Sequence, residues 1–81
     1  MIIEYKIKLD TIEKVKKFTS IVKSFENDID IMLGRYIANA KSEMAILSLD
    51  LHKALKVVVH DARIQDVERL EEVWGEFRVD D

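Results

Sequence analysis

"DIDIMLGRYIANA", residues 28–40, decides the fold. Ile29, Ile31 and Leu33 fall at alternate positions, Gly34 follows, and a second β-rich run carries Tyr36, Ile37, Ala38 and Ala40. Apolar side chains at every second position give a strand one buried face. A glycine between two such runs supplies the backbone freedom of a tight hairpin. The stretch is therefore expected to form strands two and three, paired antiparallel.

Upstream, Ile3, Tyr5, Ile7 and Leu9 alternate with Glu4, Lys6 and Lys8, which predicts strand one. Asp10 precedes "TIEKVKKFTSIVKSFEN", where Ile12, Val15, Phe18, Val22 and Phe25 recur at helical spacing, and Asp10 with Glu13 has the capping-box pattern. Helix one is expected over residues 11 to about 26. Downstream, Ser42 is expected to cap a helix of about two turns through Leu49, and "ALKVVVHD" reads as strand four. Asp61 is expected to cap a third helix in "ARIQDVERLEEVWGEF", with Ile64, Val67, Leu70, Val73 or Trp74, and Phe77 on one face and Gly75 near its frayed end. The order βαββαβα predicts an α+β open-faced β-sandwich, a four-stranded antiparallel sheet with three helices on one face. No linker or repeat divides the chain, so residues 1–81 are expected to be a single domain.

Composition narrows the function. Of the 81 residues, 48% are hydrophobic and 36% charged, with two glycines and no proline, which describes a small helix-rich globular protein. Without cysteine there is no disulfide, thiolate nucleophile or cysteine metal site, and the cytoplasm is the expected location. The first ten residues lack an unbroken apolar run, so no leader or membrane span is expected there. A net charge of −3 argues against nucleic acid as a partner. The charge is uneven: Lys6, Lys8, Lys14, Lys16, Lys17 and Lys23 lie near one end, while Asp61, Asp66, Glu68, Glu71, Glu72, Glu76, Asp80 and Asp81 lie near the other. Carboxylates are plentiful, but no nucleophile–base pair or metal-ligand spacing is legible, so neither an enzyme, a cofactor nor a metal is expected.

A few residues stand out for binding. In "NAKSEMAILSLDL", residues 39–51, a polar lead-in runs into Met44, Ala45, Ile46, Leu47, Leu49 and Leu51. Met44 and Leu47 share one side of a short helix, Ile46 and Leu49 another; either one pair is exposed or all four are core. His52 and His60 read as loop or strand-end residues, Lys16, Lys17 and Lys23 as a solvated stripe, and Trp74 and Phe77 as core.

The same stretch resembles the regulatory-serine segment of HPr, the histidine-containing phosphocarrier of the bacterial sugar phosphotransferase system. There a Lys-Ser pair precedes apolar residues and a Ser-Leu, matched here by Lys41-Ser42, Met44 and Ser48-Leu49. The resemblance extends to length and element order. It implies that Ser42 is a phosphorylation position and that Lys41, Met44 and Leu47 form a docking patch. The family's acceptor histidine and its nearby arginine fall on Thr11 and Glu13, in "KLDTIEKVKK". A threonine ester is a much poorer phosphoryl donor than a phosphoramidate, and a carboxylate repels phosphate. The chain is similar in this to Crh, the catabolite-repression relative that also lacks the histidine. Glu43 departs from the family, which usually has an apolar residue beside the serine.

The expectation is therefore a non-catalytic HPr-like protein, monomer or homodimer, with protein partners such as a kinase or a transcriptional regulator. The alternatives are a phosphocarrier with an unconventional acceptor, Thr11 or His52, and a self-associating structural module.

Overall fold

The computed structural model describes residues 1–79, apart from the side chain of Val73. Seven elements follow the expected order: β1 (Ile3–Ile7), α1 (Ile12–Val22), β2 (Ile29–Leu33), β3 (Tyr36–Asn39), α2 (Glu43–Leu47), β4 (Leu55–Val59) and α3 (Ile64–Trp74). The strands form one antiparallel sheet in the order β1-β4-β2-β3. β4 sits between β1 and β2: Val57 lies opposite Tyr5 on one side and Ile31 on the other. The helices pack against one face, where Tyr5, Ile7, Ile29, Ile31, Leu55, Val57 and Val59 are buried. The other face carries Glu4, Lys6, Asp30, Met32, Ile37, Asn39 and Lys56 and has no covering layer among the described residues. Among the described residues no helix is long and apolar enough to cross a membrane.

The hairpin forms as its sequence dictates. Leu33 faces Tyr36 across Gly34 and Arg35, and Gly34 has φ 59°, a left-handed value that favours glycine at this corner. Below the sheet, Trp74 joins three elements, with its ring 5.2 Å from Tyr5 in an edge-to-face contact and 5.6 Å from Phe18. Phe77 meets Phe18 edge to face at 5.8 Å. Such pairs contribute beyond the area they bury. The chain past α3 returns to β1: the Lys8 amide donates to the Phe77 carbonyl and the Val79 amide to the Lys6 carbonyl, each 2.9 Å, so residues 77–79 line the outer edge of β1.

Several boundaries differ from the sequence expectation. Helix one ends at Val22, not near 26, because the Ser24 hydroxyl takes the Ile21 carbonyl at 2.6 Å and the turn carries Phe25 back into the core. Its cap is Thr11, whose Oγ1 accepts from the Lys14 amide at 3.1 Å; Asp10 instead pairs with the Lys14 ammonium at 2.9 Å. Helix two is one short turn that stops at Leu47, where the Ser48 hydroxyl donates to the Ala45 carbonyl. Asp61 does not cap helix three. It takes φ 52°, and the cap falls on Arg63, whose amide donates to Asp66 Oδ2 at 2.9 Å. Six residues before Leu70, Ile64 lies about 120° round the helix from it and is 78% exposed, while Leu70, Trp74 and Phe77 are buried. The expectation for Val73 lies outside the described side chains.

Leu55→Ala, in the central strand, is expected to cost about 2–5 kcal/mol in a urea titration. The Arg63 amide holds Asp66 below the usual carboxylate range. Its contribution is complete above the pKa of an unfolded aspartate, about 3.9, and is lost as pH falls through the lower folded value. Asp66→Asn is expected to flatten the acid limb of stability against pH, measured by denaturation at stepped pH.

Candidate functional site

The segment leading into α2 is held by a chain of short bonds. Asn39 ends β3; its side-chain Oδ1 accepts from the Lys41 amide at 2.9 Å and its carbonyl accepts from the Ser42 amide at 3.0 Å. This asparagine turn delivers Ser42 in an extended conformation, φ −105° and ψ 106°. The Ser42 hydroxyl oxygen then accepts from the Ala45 amide at 3.2 Å, and its carbonyl takes the Ile46 amide at 3.1 Å. Ser42 is the expected N-cap, half-buried.

Lys41 is anchored inward. Its ammonium donates to the Phe25 carbonyl at 2.7 Å, tying the start of α2 to the chain leaving α1. The cation is thus engaged in structure beside Ser42. In α2 Ile46 is fully buried, and past its end Leu49 is partly buried against the core, while Met44 is 84% and Leu47 40% exposed. The four are therefore not all core: Met44 and Leu47 are the exposed pair, and Ile46 and Leu49 turn to the core. Glu43 stands next to Ser42 in the first turn.

Thr11 and Glu13 occupy the start of α1. Thr11 is exposed and its oxygen serves as a cap acceptor. Glu13 places a negative charge in the first turn. The bond to Lys14 holds the Asp10 carboxyl below its usual range, and pairs its charge with the Lys14 ammonium at 2.9 Å. Exposed Ile12, 60% open, adds an apolar side chain to the same end.

Neither histidine lies at a helix start. His52 is exposed in the turn after α2, its amide donating to Asp50 Oδ1 at 3.1 Å. His60 follows β4 and faces Asp30, Nε2 to Oδ2 2.9 Å, in an open cleft of about 500 Å³ lined also by Asp28, Asn39 and Lys41. Asn27 supports that corner by donating to the carbonyls of His60 and Asp61 at 3.0 and 3.2 Å. Sequence reasoning missed the Asp30–His60 pair, since the two residues meet only because β4 lies beside β2. Among the described residues no three His, Cys, Asp or Glu side chains gather as a metal-binding group.

Ser42→Ala is expected to cost about 1 kcal/mol through loss of the cap. Ser42→Asp, which keeps an acceptor oxygen at the same place, is expected to recover most of it. Urea denaturation of the two variants side by side reads the difference.

No protein-family model and no curated protein matches the chain in sequence. Among solved structures it is similar to the phosphocarrier protein HPr from Bacillus anthracis strain Ames. The two share 20% identity over 95% of this chain and 98% of the other, with a TM-score of 0.71. At that identity the likeness shows a common fold: this chain is folded as HPr is.

Proposed function

We propose that this protein uses the HPr fold to bind other proteins and does not carry a phosphoryl group. The observation that carries the reading is the start of α1, where Thr11 is the capping residue and Glu13 occupies the first turn. Reversible phosphoryl transfer between proteins needs an acceptor whose phosphate remains a good leaving group, as on imidazole nitrogen. It also needs positive charge to neutralise the developing anion. Thr11 supplies neither the nitrogen nor the charge, Glu13 opposes the anion, and the chain's two histidines lie elsewhere.

The surface offered to a partner is the exposed pair Met44 and Leu47, with Ser42 at its margin. Flexible, polarizable methionine suits an apolar docking patch. Phosphorylation of Ser42 would put about −1.5 to −2 charges beside that patch. This second reading is favoured by the capping geometry and by the Lys41-Ser42 dipeptide, and Glu43 weighs against it.

Incubation with phosphoenolpyruvate and Enzyme I decides the first reading. No labelled phosphate is expected on the chain, and stoichiometric label at Thr11 or either histidine would overturn it. HPr kinase with ATP tests the second: one phosphate is expected on the native chain and none on Ser42→Ala, and an unmodified native chain would leave capping as the role of Ser42.

A further inference from the structure

The two edges of the sheet are treated differently. On β1 the outward-facing backbone positions belong to Glu4, Lys6 and Lys8, and the Lys6 carbonyl and Lys8 amide are bonded to residues 77–79. Charge and a covering segment are the usual protections of a sheet edge. β3, the other edge, has neither among the described residues: Tyr36-Ile37-Ala38-Asn39 is the one strand of the four without a charged residue. Tyr36 and Ile37 are each 65% exposed.

The register shows which groups of β3 point outward. Ala40 donates its amide to the Ile29 carbonyl at 2.9 Å, which makes Ile29 and Ala40 a hydrogen-bonded pair of the antiparallel ladder. Such pairs alternate, so Ile31–Ala38 and Leu33–Tyr36 are hydrogen-bonded, and Met32–Ile37 is not. The amide and carbonyl of Ile37 therefore both face away from β2. Asn39 also faces outward, but its carbonyl is taken by the Ser42 amide.

We propose that β3 pairs antiparallel with β3 of a second copy of this chain, across a two-fold axis at Ile37, to make one continuous eight-stranded sheet from two four-stranded ones. On that axis the Ile37 amide of each copy donates to the Ile37 carbonyl of the other, an isologous contact in which the same groups meet from both sides. The cross-strand row on the open face then reads Met32, Ile37, Ile37, Met32, apolar throughout. The next row brings Arg35 of one copy opposite Asn39 of the second, with Asp30 of that copy immediately beyond, since Asp30 is the β2 neighbour of Asn39. Arg35 makes no ion pair among the described residues of its own chain, so the two symmetric rows bring an unengaged cation toward Asp30, a carboxylate whose Oδ2 already faces His60 Nε2 at 2.9 Å. The contact is short compared with the roughly 1,600 Å² of a standard stable interface, so the dimer is weak and concentration-dependent.

Sedimentation velocity from about 10 μM to about 1 mM, the range in which small interfaces assemble, tests this. The native chain is expected to rise from monomer toward dimer. Ile37→Lys, which sets two ammonium groups face to face on the axis, is expected to remain monomeric with an unchanged far-ultraviolet circular dichroism spectrum. Arg35→Glu is expected to weaken association several-fold, and Ile64→Lys, an equal change at an exposed apolar residue of α3, to leave it as in the native chain. A native chain that stays monomeric throughout overturns the proposal, whether or not another protein's strand uses this edge. So does a dimer that survives Ile37→Lys, or one that Ile64→Lys disrupts equally.

Discussion

The insertion of β4 between β1 and β2 is the constraint on which the rest depends. Leu55, Val57 and Val59 are fully buried against the helices, and even Val58, on the opposite face, is only 7% exposed. Lys56, Val57, Val58 and Val59 each have a partner on both neighbouring strands, Leu55 has one on β1, and alternate positions are covered by the helical layer. Without β4 the sheet is two unconnected pieces, a single strand and a hairpin, and α1 has nothing continuous to cover. The run of β-branched residues at 57–59 is what a strand in that position requires.

Periodicity made most of the architecture legible. The alternation in strand one and around Gly34, and the three-and-four spacing of Val15, Phe18 and Val22, reflect burial on one face, and burial is what the fold enforces. Helix ends were less legible because several polar residues competed for each cap. Asp10 and Thr11 were both able to cap α1, and a side-chain pair with Lys14 drew Asp10 away. At α3, the left-handed conformation of Asp61 and the reach of Asp66 moved the start by two residues. The conformation of Asp61 has no signature in local sequence, and Asp66 is only the acidic half of a capping box, since Arg63 is not among the residue types that favour an N-cap.

The candidate site divides in the same way. The role of Ser42 as a cap followed from its own neighbours, and the local chain is enough to place it. Lys41 was readable as a charge but not as an anchor, because its acceptor is the backbone of Phe25, a residue far away in sequence. Met44 and Leu47 were readable as a pair, yet which pair faced solvent depended on how α2 lies against α1. The Asp30–His60 contact needed the strand order itself.

Trp74 carries a consequence of a different kind. Its indole nitrogen is buried with no hydrogen-bond partner among the described residues, in a ring packed against Tyr5 and Phe18. A buried unmatched donor costs about 1–3 kcal/mol, so the ring is held there by shape and aromatic contact in spite of its polarity. The core thus contains an unclaimed reserve: an acceptor oxygen brought within reach of that nitrogen, with the packing otherwise kept, would strengthen the whole domain from its centre outward.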